Sequence, residues 1–402
     1  MRILLITPYF YPHKGGSQQY ALELYKTIMK QNKDIQVDVL TYNTDQSKSV
    51  EEYEGFTIYR VPCVQLLKGQ FAIPHYWELR KTLNKLFREN RYTFVNSHTR
   101  FFESSWWAPY VASHFHTKSI LTDHCAAHPT HKTKLVTGVS YVIDKFIAPL
   151  FLQKYDYITV TNKATQDFLS SLISKESEVI YGGVDTKLFK PRTNRSKERK
   201  ILGIKKRFSK NDVVVAFVGR MIYSKGPQIL LEAAKKITKK YPRAYFIFGG
   251  NGSLYPELSA FQNDHIFFTG ELTKEEISDL LAKSDVLVHP SLHHEGFPNV
   301  ILEAGAAGCA VIATNMGGTY EIITPRTGIM VKPTVSAVSS KLELLIKNGL
   351  QRRKLGNSLH KWVADNYDWK RIAKVYQKSM QEKIRENTLL FPTMRMRSIP
   401  RH

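Results

Sequence analysis

The sequence predicts an α/β protein of two doubly wound halves facing each other across a cleft, and three observations support this. Short apolar runs alternate with segments long enough for helices, first over residues 2–181 and again over 213–331, as a mainly parallel sheet with helices on its faces requires. The stretch 191–210 separates the two series, because its apolar pattern fades and it holds nine Lys or Arg against the single Glu198. The length of 402 residues suits two domains, each able to bury a core without cross-links. A first domain is therefore expected over 1–190, a basic linker over 191–210, a second domain over 211–367, and a closing helix with a tail over 368–402.

Residues 2–7 read as a buried strand, followed by a loop carrying Gly15 and Gly16 and then by the helical spacing of Tyr20, Leu24 and Ile28. Further strands are expected at 37–41, 56–61, 93–96, 119–122, 157–160 and 178–181. The second series places strands at 213–219, 244–248, 266–269, 286–289, 311–313 and 329–331, and beyond Ser336 the pattern is only helical. Ligands of open parallel sheets bind beyond the carboxyl ends of the strands. Gly15, Gly16 and the loops after Gly219, Phe248, Thr269 and His289 would then surround one site.

Composition narrows the function classes. With 43% hydrophobic and 23% charged residues the chain is neither disordered nor collagen-like nor a coiled coil. Cys63, Cys125 and Cys309 are odd in number and far apart, which excludes a disulfide framework and a four-ligand zinc site and suits a reducing, cytoplasmic setting. No run approaches the roughly 18 apolar residues of a membrane span. The net charge of +23 predicts an anionic partner: nucleic acid, acidic glycan or negatively charged lipid. Signatures of nucleic-acid binding are not evident, so no nucleic-acid partner is expected. Val139, Val142, Ile143, Phe146, Ile147, Leu150 and Phe151 recur at helical spacing with Lys145 and Lys154 among them, a stripe that suits either a core or a membrane surface.

Several residues carry chemistry. Gly15 and Gly16 let a backbone approach a ligand and leave amides directed at an anion. No Gly-x-Gly-x-x-Gly or Walker sequence is present, which removes the main support for a dinucleotide dehydrogenase or a P-loop enzyme. Gly219-Arg220 ends a strand and Ser224-Lys225-Gly226 opens the next helix, so two permanent cations stand at one strand end, as a diphosphate clamp requires. The segment 290–299 leads into a helix with Pro298 at its first turn and Gly308 beyond its end. Glu295 and Glu303 lie eight residues apart, roughly 12 Å along a helix, too far to serve one bond by helix geometry alone. A Glu at 303 among Ala and Gly is costly without partners.

Taken together, Gly15-Gly16, Gly182-Gly183-Val184-Asp185, Gly219-Arg220 with Ser224-Lys225-Gly226, Gly249-Gly250-Asn251-Gly252, and Glu295 followed by Glu303 resemble the retaining glycosyltransferases of family 4. The likeness covers nearly the whole chain, and Asp368-Trp369 resembles the family's closing segment. It implies the GT-B fold, two Rossmann-like domains with C-terminal helices crossing back to the first.

By that resemblance Arg220 and Lys225 hold the donor diphosphate, and Gly15, Gly16, Gly219 and Gly250 line its path. Glu295 with the backbone of Gly296, Phe297, Pro298 and Asn299 reads the transferred sugar, Glu303 binds the ribose, and Glu271-Leu272 contacts the base. His124 matches the catalytic histidine, with His98 a second candidate. The implied reaction moves a sugar from a nucleotide-diphosphate donor to a lipid-linked or glycan acceptor by front-face displacement. No Asp-x-Asp stands at a strand end, so neither a metal nor any other cofactor is expected, and the two cations stabilise the leaving group. His293-His294 before Glu295 departs from the family's usual residues there and leaves the sugar open. A nucleotide-sugar epimerase of the same fold would need a paired acid and base that is not evident. The expected location is cytoplasmic, peripheral to an anionic membrane surface.

Overall fold

The structure, a computed structural model, describes residues 1–390 apart from 14, 67–68, 70, 129–133, 193–198, 202 and 294–295. Its first sheet runs in the order Glu178–Val179, Tyr157–Val160, Lys118–Asp123, Phe94–His98, Arg2–Ile6, Gln36–Tyr42, Phe56–Val61, Val50–Tyr53. Every neighbouring pair is parallel except the last, which is antiparallel. The second sheet runs Ile266–Gly270, Ala244–Gly249, Val213–Val218, Val286–His289, Ala310–Thr314, Ile329–Val331 and is parallel throughout.

Helices on both faces explain the composition of the strands. Val-Val-Val-Ala-Phe-Val at Val213–Val218 is buried at every position, because a parallel strand covered on both sides has no polar face. Strand order reverses between Arg2–Ile6 and Phe94–His98, and again between Val213–Val218 and Val286–His289. These two switch points open the crevices in which ligands of such sheets bind.

Both expected series of strands are present, with ends shifted by a residue or two. Three pieces had no apolar signature: the edge strand Val50–Tyr53, the hairpin of Cys63–Leu66 with Phe71–Pro74, and the ribbon of Arg199–Lys200 with Arg207–Phe208. Each lies at the periphery, where one or both faces meet water and no continuous apolar run is needed. Ile201, Ile204 and Phe208, inside the stretch expected as linker, are buried in the core of the second domain.

Two chain crossings join the halves and run side by side. Val184 N–H donates to Tyr367 C=O (2.8 Å) and Trp369 N–H to Val184 C=O (3.2 Å), pairing the Gly182–Asp185 stretch with the Asp368-Trp369 stretch. The helix Trp369–Leu390 then packs on the helix Gly16–Gln31, and Trp369, Ile372, Ala373, Tyr376 and Met380 join Leu24, Tyr25 and Ile28 in the core of the first domain. The last helix therefore crosses back.

Candidate active site

A pocket of about 360 Å³ opens beyond the strands Val213–Val218, Ala244–Gly249 and Ile266–Gly270. Gly219, Arg220, Gly250, Asn251, Glu271 and Leu272 line it, so five of the expected donor residues meet in one place. Backbone hydrogen bonds hold the loops together: Gly219 N–H to Gly249 C=O (3.0 Å), Gly250 N–H to Gly270 C=O (2.7 Å) and Met221 N–H to Asn251 C=O (2.8 Å). A β-carbon on Gly250 would lie 2.0 Å from the Gly219 carbonyl oxygen, at φ +129°, so glycine alone fits there.

The turn bearing Lys225 is tied to the loop after Val286–His289. Ser224 C=O accepts from Leu292 N–H (2.8 Å) and from the Ser291 hydroxyl (3.1 Å). That loop feeds the helix Asn299–Ala306, whose N-cap is Pro298, one position before the first turn where the sequence suggested it. No side chain caps the helix, and its first amides are left for another acceptor. Glu295 and His294 lie outside the described residues.

Glu303 stands in the second turn and is half-buried. Burial pushes its pKa up to about 7, and nearby Lys274 opposes the rise. No protein donor among the described residues hydrogen-bonds this carboxyl group, so the internal partner that a purely structural Glu303 would need is not found there. Lys274 itself pairs with Glu23 of the first domain at 2.5 Å.

On the first-domain side His124 follows the strand Lys118–Asp123, and its Nε2 lies 3.0 Å from His98 Nδ1. His98 Nε2 is 2.8 Å from Asn96 Oδ1, which also accepts from the Tyr25 hydroxyl at 3.0 Å. Burial pulls His98 well below the usual histidine range and His124 down to about 4, so both rings are neutral near pH 7. His98, the second candidate by sequence, is thus a fully buried partner of the first.

Behind His124 lies a buried charge network. Arg100 bonds Asp123, reaches Asp144 at 2.8 Å and donates to the Cys125 and Ala127 carbonyls at 2.7 and 2.9 Å. Asp123 accepts the His124 amide at 2.9 Å, and Asp144 meets His128 at 2.6 Å. The loop that presents His124 is therefore braced from within.

The halves touch at Gly296, where a β-carbon would stand 2.5 Å from the His124 carbonyl oxygen and 3.7 Å from Asn162 Nδ2. Gly318 N–H donates to Gly296 C=O at 3.1 Å. The Phe297 ring turns toward the crossings and packs between Tyr181 and Tyr367, with centroids 5.4 and 5.5 Å away. Its side chain serves the hinge, and only its backbone is left to face a ligand. Gly15 caps the helix Gly16–Gln31, and a β-carbon on Gly15 would stand 2.2 Å from Oε1 of the buried Gln18, while a β-carbon on Gly16 would meet nothing within 4 Å. No described contact joins this N-terminus to the Arg220 loop.

Two family models cover the two halves: Glycosyltransferase Family 4 over residues 14–188 and Glycosyl transferases group 1 over 198–362. The chain belongs to glycosyltransferase family 4. The transferase is 24% identical over 395 residues to an uncharacterized glycosyltransferase of Methanocaldococcus jannaschii, covering 94% of this chain and 97% of the other. It is 22% identical over 390 residues to the phosphatidylinositol N-acetylglucosaminyltransferase GPI3 subunit of Saccharomyces cerevisiae, covering 92% and 81%. Among solved structures it is similar to the sucrose-phosphate synthase of Thermosynechococcus elongatus, with TM-score 0.72, 19% identity and coverage of 96% and 99%. It is also similar to HepE of Anabaena in complex with UDP-glucose, with TM-score 0.73, 17% identity and coverage of 95% and 100%. The fold is GT-B, and the transferase is an enzyme that uses a nucleotide-sugar donor.

Sequence reasoning missed Asn96, Arg100, Asp144, Asn162 and Gly318, although one signal was present. Phe-Val-Asn-Ser-His at Phe94–His98 is a buried strand with three polar residues, each of which needs a partner inside the protein. The stripe of residues 139–151 divides in the structure. Phe151 is 3% exposed and belongs to the core, whereas Val139, Val142, Phe146, Ile147 and Leu150 are exposed, Phe146 at 62% and Leu150 at 66%, so the stripe serves a core on one side and faces solvent on the other. Buried Asp144, held by Arg100, and the core residues Ala148, Phe151 and Leu152 lie on the inward side of this helical segment.

Proposed function

We propose that the transferase moves a sugar, with retention at the anomeric carbon and without a metal, from a uridine-diphosphate donor to a lipid-linked or glycan acceptor. The observation that carries this reading is the convergence of Gly219, Arg220, Gly250, Glu271 and Leu272 on one pocket at the carboxyl ends of the second sheet's strands. Glu271 and Leu272 meet the base, Glu303 accepts from the ribose hydroxyls, and Arg220 with Lys225 neutralises the diphosphate. As the bond between the anomeric carbon and the phosphate oxygen breaks, the acceptor oxygen attacks from the same face, and its proton passes to the departing phosphate. The cations stabilise the charge that grows on the leaving group. Glu295 and the backbone from Gly296 to Asn299 hold the sugar, and His124 orients it.

A lipid-linked acceptor is supported by the exposed apolar residues of the 139–150 segment and the net charge of +23. The yeast relative is named for transfer to phosphatidylinositol, and HepE was solved with UDP-glucose. No helix among the described residues is long and apolar enough to cross a membrane. The proposed location, at a membrane surface on the cytoplasmic face, rests on the exposed apolar residues and the charge. The test is a screen of UDP-, GDP- and ADP-sugars for release of nucleotide to water, followed by NMR of the sugar product. The expected result is turnover of a UDP-sugar in EDTA with retained configuration. Inversion, or loss in chelator that magnesium restores, would overturn the mechanism.

A further inference from the structure

Asn96, His98 and His124 form a line of polar side chains whose donors and acceptors can be assigned one by one. The Asn96 amide places one end 3.0 Å from the Ile120 carbonyl oxygen, an atom that only accepts, so that end is the Nδ2 donor. The other end, Oδ1, accepts from the Tyr25 hydroxyl at 3.0 Å and faces His98 Nε2 at 2.8 Å. A carbonyl oxygen cannot donate, and His98 Nε2 therefore carries a proton. In a neutral imidazole the second nitrogen is then a bare lone pair. His98 Nδ1 must accept, so His124 Nε2, 3.0 Å away, is the donor. What remains on His124 is an unprotonated Nδ1.

We propose that His98 is a positioning residue which, held by Asn96, fixes His124 as the Nε2–H tautomer, so that His124 offers the bound sugar a hydrogen-bond acceptor and not an N–H. The proposal rests on the reading of His124 as the sugar-facing histidine. Its chemical consequence follows from the sign of the charge that develops. An acceptor nitrogen draws a sugar hydroxyl toward it and favours positive charge growing on the ring, whereas an N–H directed there would oppose it. Burial supports the assignment by keeping both rings neutral. A protonated His98 would instead donate from Nδ1 to His124 Nε2, and burial disfavours that charged form.

These bonds would also form if the cluster only held the loop in place, and the experiment separates the two roles. With histidine labelled with nitrogen-15, long-range proton–nitrogen NMR of the ligand-free protein reads each tautomer directly, and signals are assigned by their loss in His124→Ala and His98→Asn. The expected spectrum has His124 protonated on Nε2 alone in the parent and in His98→Asn, whose amide oxygen can replace the Nδ1 acceptor. In His98→Leu a mixture of tautomers should appear. A parent His124 protonated on Nδ1, or a tautomer unchanged in His98→Leu, would overturn the proposal. In hydrolysis of UDP-glucose and UDP-N-acetylglucosamine, His98→Leu should lower kcat on the order of 10²-fold with little change in donor KM, and His98→Asn should recover most of the loss. In a His124→Ala background His98→Leu should cost nothing further, whereas equal loss in both backgrounds shows a merely structural His98 and overturns the proposal. Full activity of His124→Ala would instead remove the reading of His124, while the spectrum still judges the tautomer on its own.

Discussion

The carbonyl oxygen of His124, in the first domain, lies 2.5 Å from the point where a β-carbon on Gly296, in the second domain, would stand. Ordinary contacts at that point need well over 3 Å, so the two halves can meet in this way only while position 296 has no side chain. The contact joins the histidine loop to the segment proposed to read the sugar. Gly296→Ala should therefore hold the cleft slightly open and lower kcat on the order of 10²-fold, with thermal stability close to that of the parent. Parallel measurement of turnover and melting temperature checks this, and unchanged turnover would mean that closure at Gly296 is not needed.

Arg220 and the Lys225 turn serve one diphosphate in the proposed reaction. Alanine at either position should reduce kcat more than it raises donor KM, because the leaving-group charge grows toward the transition state. The double variant should lose less than the product of the two single losses. Independent losses confined to KM would show that the cations only bind.

Glu303 gives a pH signature with a definite sign. Its pKa in the folded chain is raised from 4.5 to about 7, so between those values the folded state holds a proton that the unfolded state has released. Stability then falls as pH rises through that window. Glu303→Gln lacks this term, and denaturant melts should show the variant gaining about 1–3 kcal/mol on the parent between about pH 5 and pH 8.

In the proposed reaction the same carboxylate binds the donor ribose. Ribose hydroxyls favour the ionised form, so calorimetry should find UDP binding tighter at about pH 8 than at about pH 6, with proton release in the parent and none in Glu303→Gln. Glu303→Ala should weaken binding by about 1.5–3 kcal/mol while leaving the fold intact. Unchanged affinity in a folded variant would remove the ribose assignment.

Phe146 and Leu150 test the surface. Because both are exposed, Phe146→Ser with Leu150→Ser should leave the melting temperature within a few degrees of the parent and reduce co-sedimentation with anionic vesicles. Added salt should weaken the parent's binding, and neutral vesicles should not bind. Phe151→Ser is the control: this buried ring should cost about 3–5 kcal/mol of stability. A parent that ignores anionic vesicles would make a soluble acceptor the better reading.

Periodicity and spacing in the chain determined much of this protein. Apolar runs such as Val213–Val218 are legible because a strand covered on both faces must be apolar throughout. The glycines at 219 and 250 and the cations at 220 and 225 are legible because strand ends place them at the crevice of a parallel sheet. What depended on long-range partners was not legible. Phe146 faces water while Phe151 packs in the core with Ala148 and Leu152, on a segment whose buried Asp144 pairs with Arg100 forty-four residues away. Helical spacing alone treats both rings as members of one stripe. The tautomer of His124 is decided by Asn96 and Ile120 on neighbouring strands. The close approach of Gly296 to His124 exists only once the paired crossings at Val184 and Asp368 have brought the two halves together. Local pattern reports which faces must be buried, whereas the pairing of a buried charge or ring nitrogen depends on atoms that only the folded chain makes neighbours.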